Sequence, residues 1–268
     1  MRPRFSDWFQ RVNFPSTSKV GLGFAGEYWN ARPELYEGWQ QLRERLAALG
    51  RKKTKRELAY DLANHLLEDV IVAAGGAERA ITRLRASHTE LLRVVAEHGN
   101  QAEQGIPFGI SDTASIDAWY AFADLLSWSR IVIERVDRRP ANSKNFGRQG
   151  LLHAIKPKRL RSRCVRLFDT LKDGPVGKSR PLINFVLHSA LVRHPVTGVN
   201  VGVSGEISLP IPDLPGSSVS HWYLLTWTGD QDGFAFGETL WSSIESFVDQ
   251  LLVAFEDATP KRLRKRVS

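Results

Sequence analysis

Arg180, Asn184 and His188 recur at four-residue intervals around the apolar run Pro181-Leu182-Ile183-Asn184-Phe185-Val186-Leu187-His188. On a helix, at about 100° per residue, the three fall within about 80° of one face, with an axial rise of about 12 Å from first to last. Imidazole exchanges a proton near neutral pH, a carboxamide can only hold or orient, and a guanidinium steadies anionic oxygen. The set therefore suits proton transfer beside an anionic group. Pro181 is expected to open the helix and leave Arg180 at its N-cap, where helix geometry does not fix its direction. Arg193 is a second cation, from the far side. A structural alternative stays open: Asn184 and His188 hydrogen-bond to backbone or to each other inside a bundle, or mark a dimer face.

Other constellations carry less. An arginine and a histidine with four residues between them recur at Arg83 and His88, Arg93 and His98, and Arg148 and His153. A chain this rich in arginine produces such pairs by chance. The last pair has a polar residue after the arginine and lies in a basic region, but Gly150 weakens it as a helix. His65 and Asp69 have the one-turn spacing of a metal pair without a second pair to complete it. Gly21-Leu22-Gly23-Phe24-Ala25-Gly26 lacks the preceding strand and the Lys-Ser/Thr ending of a phosphate loop. The single cysteine, Cys164, excludes an internal disulfide or a Cys-rich zinc site and reads as a small residue on a half-buried helix. No serine triad or acidic dyad stands out, so neither a metal nor a cofactor is expected.

Charge is unevenly placed along the 268 residues, whose formal net charge is +8. From Arg135 to Arg166 the only acid is Asp137. The cations there include Arg148, Lys156, Lys158, Arg159, Arg161, Arg163 and Arg166, the candidate nucleic-acid contacts. Shorter clusters are Arg51-Lys52-Lys53-Thr54-Lys55-Arg56 and Lys261-Arg262-Leu263-Arg264-Lys265-Arg266. Concentrated positive charge attracts polyanions because each neutralised phosphate releases condensed counterions. The alternatives are a solvated basic face with a basic tail, or an acidic partner. The first residues lack a signal-peptide stretch, and no run approaches the roughly 18 apolar residues of a membrane span, so a cytoplasmic protein without membrane contact is expected.

The elements that must position these residues are mostly helices. Residues 1–32, rich in Gly, Ser, Pro and aromatics, read as an extended arm. Pro33 opens a helix that Gly50 stops. Thr54 and Glu57 form a capping box for the next, which Gly75-Gly76 should end, and a third follows from Ala77 to His98. Gln101 to Thr113 reads as a loop. A strongly apolar helix runs from Ser115 to Val136, and Asn142 to Ile155 is a short helix or a connection. Lys158 to Leu171 is amphipathic, with arginines outward. Alternation at Val199, Val201, Val203 and Ile207 around Ser204-Gly205 predicts a hairpin, and Trp222 to Trp227 another strand. Phe236 to Ala258 is the last helix. The fold class is mainly α: a helical bundle over 33–258 with a small antiparallel β element at about 199–228 before the final helix, then a basic tail at 259–268.

This order of elements is similar to that of HEPN domains, helical bundles that include many bacterial RNA-cutting toxins and defence proteins. The resemblance covers roughly residues 55–258. It rests on the aromatic-rich helix at 115–138, the basic helix at 158–171, the helix holding Asn184 and His188, the hairpin and the closing amphipathic helix. The family motif is an arginine, a polar residue, a few residues and a histidine, with two copies facing across a dimer. Asn184 and His188 match, whereas Ile183 stands where the arginine belongs and Arg180 is the nearest substitute. The resemblance implies metal-independent RNA cleavage by a homodimer, with His188 acting on the 2′-hydroxyl and positive charge steadying the phosphorane oxygens. It equally accommodates an inactive relative that binds nucleic acid or assembles with a protein partner.

Overall fold

The computed structural model describes residues 33–50, 53–97, 108–110, 113–137, 150–185, 198–213 and 231–260. The 1–32 arm, the 222–227 strand and the 261–268 run lie outside them. Helix α1 spans Pro33–Ala48 and rests Leu46 in the core, with Gly50 at φ +49° after its end. Helix α2 then runs unbroken over Lys55–Glu97. Its start is the expected capping box, in which Glu57 N–H donates to Thr54 Oγ1 at 3.2 Å and Thr54 N–H to Glu57 Oε2 at 2.8 Å.

Gly75-Gly76 does not end this helix. Each glycine costs about 1 kcal/mol of helix propensity relative to alanine. Here the segment Ala73-Ala74-Gly75-Gly76-Ala77 is buried all round, and a Cβ on residue 76 would meet the Trp128 ring at 2.3 Å. The glycine is a seat for an indole, and packing overrides the stop signal.

Trp128 belongs to α3, Thr113–Asp137, which packs along α2 with Phe122, Leu125, Leu126 and Val132 in the core. Helix α4, Leu151–Ala154, fills the space beside both. Helix α5, Lys158–Asp173, buries Leu160, Cys164, Phe168 and Leu171. Two short helices follow, α6 (Pro175–Lys178) and α7 (Arg180–Phe185). Gly177 passes so close to α5 that a Cβ would lie 1.7 Å from the Lys172 carbonyl oxygen. The last helix, α8, covers Gly233–Asp257 and packs on α2, α3 and α5.

The sheet is antiparallel and three-stranded, in the order β1 (Phe108–Ile110), β2 (Val199–Val201), β3 (Ile207–Ser208). Strand β1 comes from the segment expected to be a loop. Its pairing partner, with Ile110 opposite Val199, lies far along the chain, so nothing local marks it. Between β2 and β3 the hairpin turns with Gly205 at φ +79°. Past β3, Leu209 and Ile211 are buried, and Gly233 N–H donates to the Leu209 carbonyl at 2.8 Å. Asp232 caps α8 through Phe234 N–H and Ala235 N–H and also accepts from Leu209 N–H at 2.8 Å. One carboxylate therefore ties the sheet to the final helix.

Candidate functional site

Pro181 is the second residue of α7, not its opener, and Arg180 is helical. Proline carries no N–H and cannot continue an α-helical hydrogen-bond ladder from the preceding turn. The break falls at Ser179, which is buried. Its N–H donates to the Pro175 carbonyl at 2.9 Å, its hydroxyl donates to the Val176 carbonyl at 2.7 Å, and its carbonyl accepts from Ile183 N–H at 2.8 Å. Helix α7 packs on α3 through a face on which Leu182 and Ile183 are buried. Arg180 is exposed and Asn184 half-buried, so the two sit one turn apart on the outward side. Ile183 is a core position, where an arginine would bury its charge against hydrocarbon. His188, Arg193 and Arg148 lie outside the described residues.

Of the other histidines named above, His98 lies outside the described residues, and the rest make no catalytic arrangement. His88 packs on the Phe234 ring, with centroids 4.4 Å apart. His153, on α4, has Nε2 3.5 Å from the Asp137 carboxylate. His65 lies 3.7 Å from Asp61 and 4.0 Å from Glu68. Among the described residues no group of three or more His, Cys, Asp or Glu side chains is placed to hold a metal ion. Cys164 is fully buried, and burial pushes its thiol up to about 12, against a smaller opposing effect of Arg163. At neutral pH it is a protonated core residue and not a nucleophile.

The basic residues of α5 form the most distinctive surface. From Lys156 to Phe168 the sequence contains no acid. The apolar residues turn inward, and Lys156, Lys158, Arg159, Arg161 and Arg166 are exposed. Arg163 is half-buried and pairs with Asp257 at the end of α8. An amphipathic helix whose wet face is cationic from Lys158 to Arg166, with Asp169 and Asp173 exposed beyond it, is the local consequence of this sequence.

At its first turn α5 also borders a groove of about 490 Å³. Arg56 enters it from the start of α2, Pro157, Arg159, Leu160 and Arg163 from α5, and Ala254, Asp257, Ala258, Thr259 and Pro260 from the end of α8. Three arginines thus face one aspartate, and Arg56 and Arg159 have no ion-pair partner among the described residues. Behind it the buried Tyr60 hydroxyl donates to the Phe255 carbonyl at 2.7 Å and lies 3.1 Å from Thr259 Oγ1, which fixes the end of α8 against α2. Arg56 belongs to a basic cluster visible in the sequence, but its convergence with Arg159 and Arg163 depends on three distant chain segments meeting. No local signal marks it.

No family model matches this chain, and no significant match is found to a curated protein or a solved structure. No helix among the described residues is long and apolar enough to cross a membrane. The class these observations define is a mainly α bundle with a small antiparallel sheet before its last helix, carrying a cationic face on α5.

Proposed function

We propose that this protein binds RNA through α5, as a HEPN-like bundle acting in the cytoplasm. The observation that carries the reading is the acid-free stretch Lys156–Phe168, whose exposed side chains are Lys156, Lys158, Arg159, Arg161 and Arg166 together with Ser162. Such a face follows a phosphate backbone by counterion release and needs no base-specific contact. The test is anisotropy of a fluorescein-labelled single-stranded RNA at low salt. The double variant Arg161→Glu/Arg166→Glu is expected to lose at least about tenfold in affinity, with a duplex DNA of equal length as comparison. Wild-type affinity in that variant would remove α5 as the binding face.

A second reading is supported by the outward placement of Arg180 and Asn184 on α7. In it the protein is a metal-independent endoribonuclease of a toxin or phage-defence system. Two copies bring their α7 helices together, and His188 takes the proton of the 2′-hydroxyl as its oxygen bonds to phosphorus. Arg180 steadies the phosphorane and Asn184 orients it, and the P–O5′ bond breaks to leave a 2′,3′-cyclic phosphate and a 5′-oxygen that takes a proton from water. Incubation with mixed RNA in chelator tests it. Cleavage by wild type that is lost in His188→Ala and Arg180→Ala supports it, and cleavage that survives His188→Ala contradicts it. Intact RNA with salt-sensitive binding leaves a non-enzymatic RNA-binding or assembly protein.

A further inference from the structure

The groove where α2, α5 and α8 meet differs in kind from the open face of α5. Arg56 and Arg159 line it with exposed side chains, and its hydrocarbon lining is half-buried at Pro157 and Ala258 and buried at Leu160, Ala254 and Pro260. Arg163, the third arginine, is engaged by Asp257, which leaves Arg56 and Arg159 to meet an incoming anion. Helix α5 begins at the same rim without a capping side chain, so its first N–H groups add to the positive potential there.

A volume of about 490 Å³ lies within the range of small-ligand sites, and a phosphate alone would leave most of it unfilled. A phosphate joined to a sugar and base matches both the charged and the apolar lining. Charge meets the two arginines, and the flat apolar body lies on Pro157 and Ala258. The sequence beyond Pro260 continues as Lys261-Arg262-Leu263-Arg264-Lys265-Arg266, so the residues that follow in sequence are basic. We infer that this groove seats one nucleotide of a bound RNA strand, with its phosphate between Arg56 and Arg159. The inference rests on the reading of the protein as RNA-binding and adds to it a defined subsite.

The test uses the full chain and a short fluorescein-labelled oligouridylate. Arg56 is exposed in the first turn of α2, where a glutamate suits the helix dipole, so Arg56→Glu should fold normally, and a thermal melt checks this. It is expected to weaken binding about tenfold and to lower the salt slope by about 0.7, whereas Arg56→Lys keeps most of the affinity. Asp257→Asn removes the acid from the groove and releases Arg163, and is expected to strengthen binding about two- to threefold. Uridine monophosphate should displace the strand at a lower concentration than inorganic phosphate. Equal displacement by both overturns the nucleotide seat. Wild-type affinity in both Arg56→Glu and Asp257→Asn overturns the groove while leaving RNA binding through α5 intact. A wild-type protein that does not retain the RNA at low salt overturns both.

Discussion

The indole of Trp128 occupies the space that a side chain on residue 76 would need, with a Cβ there falling 2.3 Å from the ring. This contact holds α3 against the middle of α2 and explains a 43-residue helix that passes through two consecutive glycines. Gly76→Ala should therefore destabilise the protein by about 1–3 kcal/mol through overpacking, although alanine is the better helix former. Urea unfolding of the variant measures it. In a Trp128→Ala background the same change should turn neutral or stabilising, because the clash is gone and the propensity gain remains.

Tyr60 links α2 to the end of α8 beside the groove. Tyr60→Phe should cost about 1 kcal/mol by removing a buried hydrogen bond to the Phe255 carbonyl. Burial pushes its hydroxyl from the ordinary 10 to about 12, with Glu256 adding to the rise and the Thr259 contact opposing it. The folded state thus holds this proton more tightly than the unfolded chain. The stability is complete below pH 10 and falls as pH rises from about 10 to 12, because there only the unfolded chain has released the proton. Unfolding midpoints across that window should decline less steeply in Tyr60→Phe than in wild type. Cys164, raised from 9 to about 12 by burial, adds an alkaline loss that begins lower and persists in the variant.

Asp232 accepts from three backbone N–H groups, of Leu209, Phe234 and Ala235. Asp232→Ala should cost about 1–2 kcal/mol, at the upper end for an N-cap because a sheet contact is lost with the cap. Asp232→Asn should recover much of it. Hydrogen exchange should show the loss concentrated at the first turn of α8 and at Leu209.

The parts of the fold legible in the sequence were those fixed by local chemistry. Thr54 and Glu57 announce the start of α2, and the spacing of Leu160, Val165, Leu167, Phe168 and Leu171 marks the inward side of α5, on which Val165 and Leu167 are only half-buried. What escaped depended on distant partners. Gly75-Gly76 carries a stop signal that only the Trp128 ring overrides, and Phe108–Ile110 becomes a strand only because Val199–Val201 lies beside it. Pro181 signals a helix start accurately to within one residue, but Ser179 and the close approach permitted by Gly177 decide where the break falls. For the site, the charge of α5 is written in its sequence. The meeting of Arg56 with Arg159 is not, since it requires α2, α5 and α8 to pack first.

RNA binding through α5 requires its cations to meet phosphates, and the salt dependence of wild-type binding to single-stranded RNA measures that most directly. Each phosphate neutralised on a single strand contributes about −0.7 to the slope of log affinity against log salt, so contacts from four or five of these side chains predict a slope near about −3. Arg161→Glu/Arg166→Glu should flatten it by at least about 1. Absence of RNA binding at low salt, or binding whose affinity does not change with salt, would contradict the account.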